Sequence, residues 1–189
     1  MERGVIVKNQ FACWEMFGFL FVVIFGSLFH FVYQWSGNNR IVGLFTPVNE
    51  STWEHLKLLL APMVLFSIVE YFAIGKDYPN FIPAKAFGIL FGMVAIVAIF
   101  YTYTGILGKH YLCADILTFI LGVAVAYVYS WKIINKQPIG TSSQIIGITT
   151  ILILILSFAV FSFYPPHIPI FLNPVTKNYG TSAQPFTNQ

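Results

Sequence analysis

Long apolar runs separated by short polar clusters set the plan of this chain. The first run spans Phe11 to Trp35 and stops at the turn-forming cluster Ser36-Gly-Asn-Asn-Arg40. About 20 apolar residues carry a helix across the hydrocarbon layer, so this run predicts a transmembrane helix over 11–35. Arg3 and Lys8 precede it, as in a signal peptide. The run is too long and aromatic for one, and no small-residue cleavage site follows, so the helix is expected to be retained. Further helices are predicted over 51–74, 84–107, 111–134 and 143–163. Pro62 is expected to kink the second. Ser51-Thr-Trp-Glu54 matches the capping box that opens a helix. Ile41–Phe45 reads as a short interfacial segment. The Pro- and Asn-rich tail, 164–189, begins with Pro165-Pro-His-Ile-Pro-Ile-Phe-Leu172, which is too apolar for a solvated tail and is expected across the bundle mouth.

Composition makes lipid the solvent. The chain has 189 residues, 57% hydrophobic and 9% charged, with 20 Phe. Soluble domains are about 25% charged, and a chain this short could not hide so much apolar surface from water. The expected fold is one all-α integral membrane bundle of about five transmembrane helices, residues 1–163, followed by the tail. Four helices plus a re-entrant or interfacial segment is the alternative. The net charge of +3 is spread out and offers no nucleic-acid footprint. Cys13 and Cys113 fall near opposite membrane faces, too far apart for a disulfide.

With the N-terminus cytoplasmic, Arg3, Lys8, Lys76, Lys85, Lys132 and Lys136 lie inside, and Arg40, Lys57, Lys109 and Lys177 outside. That is a modest positive-inside bias, and the tail is then extracytoplasmic. Trp14, Trp35, Trp53 and Trp131 fall at predicted helix ends, as in an aromatic belt. Ala84, Gly88 and Gly92 on one helix, and Gly122, Ala126 and Ser130 on the next, form small-residue faces suited to close contact.

The same topology gathers His30, His55, His110 and His167 at the outer end, with Glu50, Glu54 and Asp115. Ionisable groups at membrane depth are expensive and point to function. His30, His55, His110 and Asp115 are candidate ligands for one divalent transition metal such as zinc. Glu50 or Glu54 is the candidate general base and Ser51 an assisting hydroxyl. Plainer readings stand beside these. Ser51 and Glu54 cap a helix, Glu54 and Lys57 form an interfacial ion pair with Lys57 snorkelling outward, and Asp115 pairs with Lys109 or His110. At the inner end, Glu15 and Glu70 are expected to pair with Lys8, Lys76 or Lys85.

The stretch Gly43-Leu-Phe-Thr-Pro-Val-Asn-Glu-Ser-Thr-Trp-Glu-His-Leu-Lys57 and the tail Pro165-Pro-His-Ile-Pro-Ile-Phe-Leu-Asn-Pro-Val-Thr-Lys-Asn-Tyr-Gly180 resemble a family of small multi-pass bacterial membrane proteins of unknown function. That family is found mainly among Gram-positive anaerobes. The resemblance implies a multi-pass protein of the bacterial cell membrane and no established activity. A weaker similarity is to the seven-helix alkaline ceramidase and progestin-receptor-like hydrolases. Ser51 and His55 match their Ser-x-x-x-His. Asp115 falls on a different helix from theirs, His167 stands alone where they have a pair, and two helices are absent. Two functions follow. One is a metal-dependent hydrolase acting on a lipid or amphiphile at the outer face. The other is a non-enzymatic membrane protein, a small transporter or the scaffold of a membrane complex.

Overall fold

The computed structural model describes the backbone of residues 2–183 and the side chains of residues 10–181. Arg3 and Lys8, counted above for orientation, have side chains outside that range. The chain is all-helical: α1 (Glu2–Trp35), α2 (Thr52–His55), α3 (Lys57–Ala73), α4 (Phe81–Leu107), α5 (Leu112–Ile134) and α6 (Thr141–Phe163). Short 3₁₀ turns cover Val42–Leu44, Gly75–Asp77, Pro169–Phe171 and Gly180–Ala183. Among the described residues, five segments are long and apolar enough to cross a membrane: Gln10–Trp35, Thr52–Ala73, Phe81–Leu107, Leu112–Ile134 and Thr141–Phe163. Large apolar side chains such as Met16, Phe17, Ile24, Val69, Ile106 and Leu156 point outward, which only a lipid surround makes affordable. This is a multi-pass membrane protein.

The fourth helix of the chain opens at Phe81, three residues before the predicted start at Ala84. Pro83 sits in its first turn, where a missing N–H costs nothing. The second predicted helix is interrupted at Leu56, whose N–H bonds back to Trp53 in a tight turn before α3 begins.

Pro62 lies inside α3. It has no N–H to offer the Leu58 carbonyl one turn back. The neighbouring helix covers that oxygen closely: a Cβ on Gly26 of α1 would lie 2.4 Å from Leu58 O. Gly26 is therefore the point at which α1 and α3 touch backbone to backbone. The same device joins α4 to α5. A Cβ at Gly88 would meet Ala126 O at 2.6 Å, and one at Gly92 would meet Gly122 O at 2.8 Å. The predicted small-residue faces thus pack against each other inside the bundle. Val22, Leu59, Met63, Ile89, Val123 and Phe158 fill the centre, and Phe11, Ile74, Phe81, Ala84 and Ile134 fill the N-terminal end.

Polar staples close both ends. At the N-terminal end, Asn80 donates to the carbonyls of Ile133, Lys136 and Gln137 and accepts from Ile139 N–H, which pins the α5–α6 connection. At the other end the tail folds back. Phe171 is buried against Trp53, ring centroids 4.8 Å apart, and Asn49 Nδ2 donates to Gly180 O at 3.0 Å. Trp53 also stacks on Phe158 at 4.3 Å, so it is a packing anchor rather than a belt residue.

Gly26→Ala is expected to destabilise the protein by about 1–3 kcal/mol, because the added methyl meets backbone. Gly105→Ala, also helical but with nothing within 4 Å of its Cβ position, is expected to be stabilising by up to about 1 kcal/mol. Unfolding in detergent with a chemical denaturant measures both, and equal effects would contradict this account of the α1–α3 contact.

Candidate metal centre

The segment before α2 carries the site, and a buried ion pair holds that segment. Glu54 and Lys57, one turn apart, are both about 1% exposed. Lys57 Nζ lies 2.7 Å from Glu54 Oε2 and donates to Gly43 O at 2.7 Å and Ser162 Oγ at 2.6 Å. Ser162 Oγ, on α6, donates to Glu54 Oε1 at 2.7 Å, and Val48 N–H donates to Glu54 Oε2 at 2.9 Å. Lys57 therefore does not snorkel outward. Its ammonium turns inward because a ready-made set of oxygens lies there.

Half of the predicted capping box forms. Ser51 Oγ accepts from Glu54 N–H at 3.3 Å. The reciprocal bond does not form, because the Glu54 carboxylate is engaged with Lys57, Ser162 and Val48. Ser51 N–H donates to Asn49 Oδ1 instead, at 2.8 Å. This Asx turn projects Glu50 away from the buried pair.

Glu50 meets two histidines. Its Oε2 is 3.4 Å from His55 Nε2, and its Oε1 is 3.8 Å from His30 Nε2 on α1. The imidazole rings lie 5.2 Å apart. One donor atom from each residue falls within 4.8 Å of the others. Among the described residues, it is the single set of three His, Cys, Asp or Glu side chains that converges in this way. The other nitrogen of His55, Nδ1, lies 2.9 Å from Ser51 O. A backbone carbonyl can only accept, so Nδ1 donates to Ser51 O, and Nε2 is the ring nitrogen that faces Glu50. Metal-binding histidines are oriented by such contacts. Ligands about 2.0–2.1 Å from a tetrahedral zinc ion stand about 3.3 Å apart, so His55 and Glu50, at 3.4 Å, already have that spacing and His30 needs to draw closer. Two imidazoles and one carboxylate leave a fourth position open, as in hydrolytic zinc sites.

Beside the triad is a cavity of about 330 Å³, mostly apolar, whose wall includes Glu50, His55, Leu58, Phe100, Leu172 and Val175. His110 and Asp115 line the same cavity. His110 Nδ1 is 3.1 Å from Asp115 Oδ2, and Tyr103 hydroxyl donates to Asp115 Oδ1. The tail supplies one side of the cavity through Pro169, Leu172, Pro174, Val175 and Lys177.

The candidate residues thus divide. His30 and His55 converge, but with Glu50 rather than with His110 and Asp115, which form their own pair. Glu54 and Ser51 are interior groups with structural partners and do not line the cavity. His167 stacks on Tyr179, ring centroids 4.5 Å apart. Sequence reasoning missed Tyr103 and Ser162. Tyr103 is one of four consecutive hydroxyl residues, Tyr101 to Thr104, and Ser162 is one of several on α6, and nothing in the local pattern marks which of them faces a partner. Glu50 was weighed as a base, and its adjacency to His30 depends on a turn that periodicity does not describe.

His55, as hydrogen-bond partner, holds the Glu50 carboxyl below the usual carboxylate range, with partial burial opposing it.

A family model described as "Family of unknown function (DUF6512)" matches residues 4–181. No curated protein and no solved structure matches the chain.

Lys57→Met is expected to cost about 3–5 kcal/mol, since it leaves a buried carboxylate without its cation. Adding Glu54→Gln should restore much of the loss. A double variant no more stable than Lys57→Met alone would contradict the pairing. For Glu50 the lowered folded value fixes the sign. Its contribution is full above the ordinary carboxylate value of about 4.3 and fades as pH falls through the folded value. On acidification into that range the wild-type melting temperature should fall more steeply than that of Glu50→Gln.

Proposed function

We propose that this chain, which belongs to the family of unknown function (DUF6512), is a metal-dependent hydrolase of a lipid or other amphiphile. The observation that carries the reading is the convergence of His30, Glu50 and His55 within 4.8 Å at a largely apolar cavity. His30 Nε2, His55 Nε2 and a Glu50 oxygen would hold a divalent metal, zinc by donor chemistry. When bound, the metal lowers the pKa of a coordinated water toward about 7 and polarises a substrate carbonyl.

The chain's own groups supply the rest. Leu58, Phe100, Leu172 and Val175 take the acyl chain, and the polar rim of Glu50, His55, His110 and Asp115 faces the headgroup linkage. His110, oriented by Asp115, takes a proton from the attacking water as its oxygen bonds to the acyl carbon. It returns that proton to the leaving oxygen or nitrogen as the acyl bond breaks. The products are the free acid and the released alcohol or amine. Ser51 and Glu54 act at one remove: the first fixes His55 through its carbonyl, the second anchors the segment bearing Glu50. We place the protein in the cell membrane of a bacterium, N-terminus cytoplasmic, with the cavity opening at the outer face.

Elemental mass spectrometry on detergent-purified protein tests the metal. Near-stoichiometric zinc, manganese or iron is expected in the wild type and its loss in folded His55→Ala. His110→Ala should keep the metal and lose about 10²–10⁴-fold in turnover of phospholipid or N-acyl lipid substrates. A wild type without metal would sink the hydrolase and favour the non-enzymatic alternatives, transporter or scaffold.

A further inference from the structure

A second charged cluster lies at the N-terminal end of the bundle, and it differs from the Glu54–Lys57 pair in one respect. Lys85 Nζ on α4 is 2.9 Å from Glu15 Oε1 on α1 and 2.7 Å from Glu70 Oε2 on α3. Ser130 Oγ on α5 donates to Glu15 Oε1 at 2.7 Å. The rings of Phe11, Phe81 and Tyr127 surround the ammonium at 5.3–5.4 Å. Glu15 is 6% exposed, Glu70 0%, Lys85 2% and Ser130 0%. Four helices converge on one lysine.

In the Glu54–Lys57 pair one carboxylate faces one ammonium, and both carboxylate oxygens have partners. Here two carboxylates face one ammonium. With all three ionised the cluster carries one uncompensated negative charge away from water, which is strongly unfavourable. The hydrogen bonding shows the same deficit. Glu15 Oε2 and Glu70 Oε1 are buried without a partner, and so is the Tyr127 hydroxyl, within electrostatic reach of both carboxylates. Buried polar atoms are rarely left so. Three open oxygens and one missing positive charge describe a receptor for a single small cation.

We propose that Glu15, Glu70 and Tyr127 bind one monovalent cation, a proton or a sodium ion, beside Lys85. The other groups facing them are few. Tyr78, from the α3–α4 connection, lies within electrostatic reach of Glu70. On the α6 side the neighbouring cleft is walled by Ile148, Ile151 and Leu152. That cleft, about 320 Å³, reaches Lys85 and Ser67, whose hydroxyl is also unpartnered. The site is independent of the metal centre, which lies at the other end of the bundle.

Thermal unfolding in detergent tests it, comparing wild type with Glu70→Gln. Glutamine keeps the shape and removes the surplus charge. Sodium is titrated against choline at constant ionic strength and fixed pH, and pH is titrated in choline alone. The wild-type midpoint should rise on the order of 5 °C with added sodium or with falling pH, and Glu70→Gln should lose that response. A sodium response identifies the metal cation. A pH response alone, with a protonated-carboxyl infrared band absent from Glu70→Gln, identifies the proton. Acid effects of the metal centre persist in both proteins and cancel in the comparison. Should Glu70→Gln fail to fold, Glu15→Gln removes the same charge and serves in its place. Coincident wild-type and variant titrations in both series would overturn the proposal.

Discussion

The Lys57 ammonium, held where no water reaches, is the constraint on which this end of the molecule depends. A buried cation needs an opposite charge and a full set of acceptors. Lys57, at the start of α3, finds them in Glu54 on α2, in Gly43 O and Thr46 O before it, and in Ser162 on α6. The four acceptors come from three parts of the chain. Satisfying one charge therefore fixes the entry segment, the start of α2 and the last turn of α6 relative to one another.

The candidate metal centre inherits that geometry. Glu54 faces inward, so the Asx turn before it throws Glu50 to the other side, against His30 and His55. The tail closes over the arrangement through Phe171 on Trp53 and Gly180 O on Asn49. None of these links touches the three donor atoms, yet each limits where they stand. A flexible side chain such as Glu50 makes a useful ligand only when its backbone is held, and here it is held by groups with no chemical role of their own.

The two buried lysines show how charge counting separates structure from receptivity. Lys57 meets one carboxylate and leaves no carboxylate oxygen open. Lys85 meets two, and open oxygens remain. Both lie between apolar helices, and both bury fully. Only the balance of charge, and the hydrogen bonds that follow it, makes one a finished joint and the other a place where a further ion belongs.

Apolar run length and the cost of an unsatisfied backbone in lipid allow only helices here, so the five spans, their antiparallel order and the crowding of histidines at one end could be read from the chain itself. The glycine faces of α4 and α5 were legible for the same reason, since their four-residue spacing is a local property of one helix. The partners of individual polar groups were not. Whether Glu54 returns to cap its own helix or meets Lys57, whether Lys85 serves one glutamate or two, and whether His30 faces Glu50 or Asp115 depends on helix rotation and on a non-helical turn. Periodicity constrains those to within a face, while a hydrogen bond or a metal ligand requires placement to within an ångström. That last step belongs to the packing of residues distant in sequence, and the tertiary structure alone decided it.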